Sequence, residues 1–219
     1  MCEIFNHDYS ESIAILEDKN HKDYKELYNL RSVAKTINFL IIYGGTAYTL
    51  STRISTPERV YTEEECQVFM QQYFKKLKGV HGWIKDTKNV IRRTGEVQNF
   101  FGRYRRFPEI EDWKKAGSSY HQSLIEGAFR QGVNFIIQGT CADMFKIAMV
   151  RVHKFLEGHR SKMIMPIHDE LVFYMHRDEL SLLKSIKTIM EDFKFSVPMT
   201  TDVSYSPISW KDKKPLKLA

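Results

Sequence analysis

Arg31, Lys35, Phe39 and Tyr43 recur at a stride of four residues, and the run stops at the adjacent glycines Gly44 and Gly45. In an α-helix four residues return to nearly the same face, drifting by roughly 40° each time. The stride therefore demands a helix with two cations and then two aromatic rings along one winding stripe. Ile37, Leu40, Ile41 and Ile42 lie off that stripe and already supply a core-directed surface. Burial does not need the stripe. The spacing predicts a helix from near Tyr24 to Tyr43, stopped where glycine takes the left-handed cap conformation.

The order of side chains along the stripe matches a nucleoside triphosphate laid lengthwise, with phosphates at the cations and sugar and base at the rings. A second constellation, His168-Asp169-Glu170, sits between the apolar runs 163–167 and 171–175. Two apolar runs around a tight polar turn predict a β-hairpin, with the acids at the rim of a core. A carboxylate fixed there suits Mg²⁺, which takes one or two carboxylates together with substrate phosphates, and His168 is placed to reach a phosphate. Acids in a turn also serve simply to bend the chain. A third set, Arg130, Asn134 and Gln138, is again spaced by four and precedes Gly139-Thr140. Its donors match the acceptors that every base pair shows in the minor groove, although an ordinary polar helix face has the same spacing.

The 219 residues suffice for one sizeable core or two modest ones, and a net charge of +6 with pI near 9.1 points to a polyanionic partner. The excess is local. Between Gln71 and Arg106 the cations include Lys75, Lys76, Lys78, Lys85, Arg92, Arg93, Arg103, Arg105 and Arg106, against only Asp86 and Glu96. That favours a track for a phosphate backbone. Cys2, Cys66 and Cys141 form no close pair, so neither a disulfide framework nor a zinc site follows, and a reducing cytosol fits. Apolar runs such as 39–42 are too short to span a bilayer, and the first residues lack a signal-peptide pattern.

Elsewhere, residues 1–22 read as polar and irregular. Thr62-Glu63-Glu64-Glu65 reads as a helix start, with the acids at the positive end of the dipole; that helix ends near Gly79 and another covers 80–93. A strand-like stretch runs from Gly95 to Phe107. From Ser118 the pattern is helical, with Met144, Ile147, Ala148 and Val152 on one face of 140–156. A helix over 178–193 and a last strand over 198–205 complete an α+β chain.

Arg31-Ser-Val-Ala-Lys35-Thr-Ile-Asn-Phe39-Leu-Ile-Ile-Tyr43-Gly44 resembles motif B, the fingers helix of the DNA polymerase I family (family A), including its bacteriophage members. Ile167 to Phe173 resembles motif C of that family's palm. The runs Arg130-x3-Asn134-x3-Gln138-Gly139-Thr140-x-Ala142-Asp143 and Gly102-Arg103-x-Arg105-Arg106-Phe107-Pro108 resemble stretches between them, and 197–210 its closing segment. The resemblance implies fingers over 1–117, mainly helical, and the C-terminal half of a polymerase palm over 118–219. Arg31 would grip the outer phosphates of a deoxynucleotide. Lys35 would contact the phosphates and protonate the leaving pyrophosphate. Phe39, in place of the Tyr associated with accepting dideoxynucleotides, would pack on the sugar, and Tyr43 would close over the nascent pair. Asp169 would ligate the catalytic Mg²⁺ with Glu170 beside it. His168 would contact the primer end, Arg130, Asn134 and Gln138 the minor groove, and Arg103 and Arg105 the DNA. Leu40 stands where the family commonly has a small residue.

Two-metal phosphoryl transfer requires at least two carboxylates, and the family's other essential aspartate, in motif A, has no good counterpart here. Asp8-Tyr9-Ser10 imitates its first letters, but Ile13 stands where its glutamate belongs, and 1–5 resemble the segment that follows motif A. Asp8 reads as a decoy. A split DNA-directed DNA polymerase is therefore expected, acting on primer-template DNA and dNTPs, with a partner polypeptide supplying motif A, thumb and any exonuclease. The alternatives are a non-catalytic DNA-binding accessory or relic, and a self-sufficient minimal polymerase using Asp8.

Overall fold

The computed structural model describes residues 7–110 and 119–218, with side chains from 122 onward in the second stretch. The segment 1–5 and Ser118, both used in the sequence reading, lie outside the described residues. In chain order the elements are α1 (Tyr9–Glu17), α2 (Tyr24–Ile42), α3 (Ala47–Ile54), α4 (Glu63–Lys76), α5 (Lys78–Thr94), β1 (Glu96–Gln98), β2 (Tyr104–Arg106), α6 (Ser119–Phe155), β3 (Lys162–Ile167), β4 (Glu170–Tyr174), α7 (Leu182–Glu191), β5 (Ser204–Tyr205) and β6 (Lys214–Pro215). The α+β expectation holds. Two compact units, 1–138 and 139–219, divide the chain inside α6.

In the first unit, Leu27, Ala34, Ile37, Leu40 and Ile41 bury one side of α2. Ile37, Leu40 and Ile41 pack with Leu50 and Ile54 of α3, Tyr61, and Cys66 and Tyr73 of α4. Tyr73 is buried, and its hydroxyl donates to Asn38 Oδ1 at 2.6 Å, which satisfies that polar atom in the core. Thr62 and Glu65 close a reciprocal capping box at the start of α4, as Thr-Glu-Glu-Glu predicted. One correction concerns 1–22: the chain is not irregular throughout, because Asp8 accepts the Glu11 N–H at 2.9 Å and starts α1. An Asp before a short apolar island favours an N-cap, the position Asp8 takes here.

The second core of this unit lies under the β1–β2 hairpin, where Ile91, Val97, Phe107 and Ile110 meet Ile125, Ala128 and Phe129 of α6. Gly132 lets that helix approach, since a Cβ there would stand 2.3 Å from Ile91 Cδ1. The strand-like stretch is thus a hairpin, paired Glu96↔Arg106, Val97↔Arg105 and Gln98↔Tyr104. Within α6, Gln122–Phe155 is long and apolar enough by length and composition to cross a membrane, a property that its short unbroken apolar runs do not reveal. Arg130, Asn134, Gln138 and Asp143 punctuate it, so it does not indicate a membrane protein.

In the second unit β3 and β4 pair as the expected hairpin, from Lys162↔Tyr174 to Ile167↔Glu170, with a bulge between Met163 and Met165. Val152 and Leu156 of α6 and Ile186 of α7 form its core, with Met163 and Phe173 packed against them. The helix expected over 178–193 is shorter. Asp178 and Glu179 sit in a separate 3₁₀ turn, Arg177–Glu179, because their side chains are drawn to the start of β3. Glu179 accepts from the N–H of Arg160 at 3.1 Å and from the N–H and hydroxyl of Ser161 at 2.7 and 2.6 Å. The Ser161 oxygen in turn accepts the His176 N–H at 2.9 Å. The last strand is likewise short, only Ser204–Tyr205, paired with Lys214–Pro215.

The hydrogen bonds from Ser161 and the Arg160 backbone hold the Glu179 carboxyl at about 2, below its ordinary 4.5. A depressed carboxyl adds stability above the unfolded value that disappears as pH falls toward the folded one. Glu179→Gln should therefore be less stable than the parent at neutral pH, with the gap closing between about pH 4.5 and 2. Thermal unfolding across that range checks this; a gap independent of pH would count against it.

Candidate active site

All four residues of the α2 stripe are exposed, Arg31 and Lys35 at the N-terminal end, Phe39 at 50% and Tyr43 at 37%. The rings of Phe39 and Tyr43 stack with centroids 6.2 Å apart and planes 9° off parallel. They form one flat wall continuing a cationic strip. Exposed rings cost free energy in water unless a ligand covers them, and cations beside a flat wall are the groups a nucleoside triphosphate would meet.

The helix end fixes where the wall stops. Gly44 has φ +68°, its N–H donates to Ile41 O at 3.1 Å, and the Gly45 N–H donates to Leu40 O at 2.8 Å. These are the two bonds of a Schellman cap. A Cβ on Gly44 would lie 2.4 Å from Arg130 Cγ, so the stem of Arg130 packs on the cap. A Cβ on Gly45 would lie 2.3 Å from Leu40 Cγ. The unusual bulk of Leu40 is thus accommodated by the absence of a side chain at 45.

The third stripe meets the first within the same unit. Gln138 Nε2 donates to Tyr43 Oη at 2.7 Å, and Asn134 Nδ2 donates to Gln138 Oε1 at 3.2 Å. Asn134 Oδ1 is buried without a hydrogen-bond partner, an acceptor held ready for a donor. The four-residue spacing predicted the alignment of Arg130, Asn134 and Gln138. No local signal predicted the bond to Tyr43, which spans 95 residues. In the hairpin, Arg103 and Arg105 are both exposed, and Arg105 donates to Gln131 Oε1.

In the second unit His168 and Asp169 form the two-residue turn of the β3–β4 hairpin, and His168 takes φ +52°, a left-handed conformation rare outside glycine. Asp169 is exposed and has no hydrogen-bond or ion-pair partner among the described residues. Glu170 is held by two side chains from further along the chain. Lys213 Nζ contacts both its oxygens at 2.6 Å, Trp210 Nε1 donates to it at 3.1 Å, and the Lys213 ammonium lies 4.3 Å from the Trp210 ring centroid. The Lys213 contact, then the Trp210 bond, hold its carboxyl below the ordinary range. Both partners escaped sequence reasoning because they lie 40 and 43 residues away. Among the described residues no group of three or more His, Cys, Asp or Glu converges. Asp169, an exposed carboxylate, suits Mg²⁺ as one ligand.

With this geometry, comparison with known proteins is decisive. The family model for DNA polymerase family A matches residues 9–212. The chain belongs to DNA polymerase family A. It is 35% identical over 176 residues to the thermostable DNA polymerase I of Thermus aquaticus, covering 80% of this chain and 20% of that protein. It is 33% identical over 165 residues to the DNA polymerase of Bacillus phage SP01, covering 74% and 17%. Among solved structures it resembles the POL domain of Pol1 from M. smegmatis in complex with DNA primer-template and dNTP, with TM-score 0.72 and 27% identity, covering 90% of this chain and 31% of that one. The chain thus spans about a fifth of the length of its curated family A relatives.

The Leu40–Gly45 fit makes a quantitative expectation for this family A chain. Gly45→Ala should cost about 1–3 kcal/mol through overpacking, and Leu40→Ala about 2–5 kcal/mol through a cavity. The double variant should lose less than the sum, with coupling of about 0.5–3 kcal/mol. Urea unfolding of the four proteins checks this, and strict additivity would contradict it.

Proposed function

We propose that this chain is the fingers and C-terminal palm portion (1–117 and 118–219) of a DNA-directed DNA polymerase that adds dNTPs to a primer 3′ end. The observation that carries the reading is the solvent-facing Arg31-Lys35-Phe39-Tyr43 stripe, with Tyr43 held by Gln138. Arg31 and Lys35 bind the triphosphate, and Lys35 delivers a proton to the departing pyrophosphate. Phe39 packs on the sugar and Tyr43 on the nascent base pair. Gln138, already bonded to Tyr43, contacts the minor groove with Asn134 and Arg130, while Arg103 and Arg105 hold the DNA backbone. His168 orients the primer end.

Asp169 would hold the magnesium. Bound divalent ions supply Lewis-acid stabilisation of the attacking and leaving oxygens. Glu170, neutralised by Lys213, is a support of the turn rather than a ligand in this reading. A second carboxylate is then needed, and Asp8, the internal candidate, is a helix cap. The proposal assigns it to a partner polypeptide that carries motif A and the thumb. Mg²⁺, the DNA, the dNTPs and the partner are implied together.

Primer extension by this chain with and without the polypeptide that co-purifies with it tests the reading. Activity should require the complex. Asp169→Ala should abolish it, Lys35→Met should slow single-turnover incorporation on the order of 10²–10⁴-fold, and Glu170→Gln should cost far less than either. Full activity of the complex with Asp169→Ala would reject the proposal. Extension by the chain alone, lost on Asp8→Ala, would reject the partner.

A further inference from the structure

The β1–β2 hairpin carries more than its arginines. Phe100 at its tip is 63% exposed and Tyr104 is 53% exposed, beside the exposed Arg103, Arg105 and Arg106. The tip that presents them is braced from below. Asn99 is buried, and its Oδ1 accepts the N–H of Phe101 at 3.1 Å and of Arg103 at 2.9 Å. Gly102 turns the chain at φ +85°, and Gln98 Nε2 donates to its carbonyl at 3.1 Å. Phe101 packs edge-on to Phe100 at 5.6 Å. In the antiparallel register Tyr104 shares the face of Glu96 and Arg106, opposite the face on which Val97 is buried. Arg105 bonds Gln131, the neighbour of Arg130, so the hairpin is fastened at the Arg130 end of the polar stripe on α6.

We propose that this tip is a stacking site for the unpaired bases of a single-stranded DNA segment, Phe100 and Tyr104 offering ring faces and Arg103 with its neighbours holding phosphates. The inference rests on the polymerase reading above, in which single-stranded template adjoins duplex. Rings alternating with cations match a strand whose bases alternate with phosphates. A duplex offers only base edges, its π-faces being stacked on one another, and would leave both rings uncovered. An apolar protein surface would leave the arginines unpaired.

Fluorescence anisotropy with the full chain tests this, using a labelled oligothymidylate and a strand of equal length built from abasic sugars. Phe100→Ala and Tyr104→Ala should each weaken oligothymidylate binding by roughly five- to a hundredfold and leave the abasic strand unaffected. Phe100→Tyr and Tyr104→Phe should restore parental affinity. Arg103→Ala should weaken both strands alike and flatten the salt dependence. Equal losses on both strands, no loss on either, or failure of the conservative variants to bind would overturn the proposal. So would rings whose removal weakens only assembly with a partner polypeptide. Primer extension by the complex is read separately: stacking without extension by the complex rejects the polymerase reading alone, and extension without base-dependent binding rejects the hairpin alone.

Discussion

Burial of one side of α2 is the constraint from which the candidate site follows. Leu27, Ala34, Ile37, Leu40 and Ile41 are each at most 5% exposed, and burial of a large aliphatic side chain is worth about 1.5–3 kcal/mol. Turning the helix to cover Phe39 and Tyr43 would uncover these residues, an exchange the small aromatic gain cannot offset. The helix is therefore held with its cationic and aromatic stripe facing out. The Schellman cap at Gly44 and Gly45, with Arg130 packed on one glycine and Leu40 over the other, fixes the axial position at which the stripe ends.

Charge is distributed unevenly at the second unit's turn. Two adjacent carboxylates repel each other, and a turn carrying both would be costly without a counter-charge. Lys213 supplies it to Glu170, leaving Asp169 as the anion open to solvent. One acid is structural and its neighbour is available, although they are adjacent in the chain. The same logic governs Asp8 and Asp169: the first is spent capping α1, the second has no such employment.

The basic region of the first unit is likewise sorted by packing. Lys88 and Arg92 lie over the Phe129 ring at 5.8 and 5.0 Å, and Arg106 pairs with Glu96 at 3.2 Å, so part of the positive charge serves the fold. At the hairpin tip Asn99 satisfies the backbone of the loop from inside while Phe100, Arg103 and Tyr104 stay exposed.

Local rules determined much of this protein from its sequence. The stride of four, the glycine stop, the Thr62 capping box and the apolar–polar–apolar run around His168 are all short-range patterns, set by backbone periodicity and by hydrogen bonds within one turn. They specified α2, α4 and the β3–β4 hairpin, and placed Arg31, Lys35, Phe39, Tyr43 and Asp169 on their elements. The α1 helix was missed because a single Asp cap is a weak signal, and the helix after β4 was read as too long because Glu179 is drawn to Ser161, 18 residues back. Only the tertiary structure decided that Gln138 holds Tyr43, that Lys213 occupies Glu170, and that Leu40 fills the space beside Gly45. The first two join residues far apart in the chain, and the third depends on how one side chain folds over a cap. Their partners are chosen by packing, which periodicity does not encode.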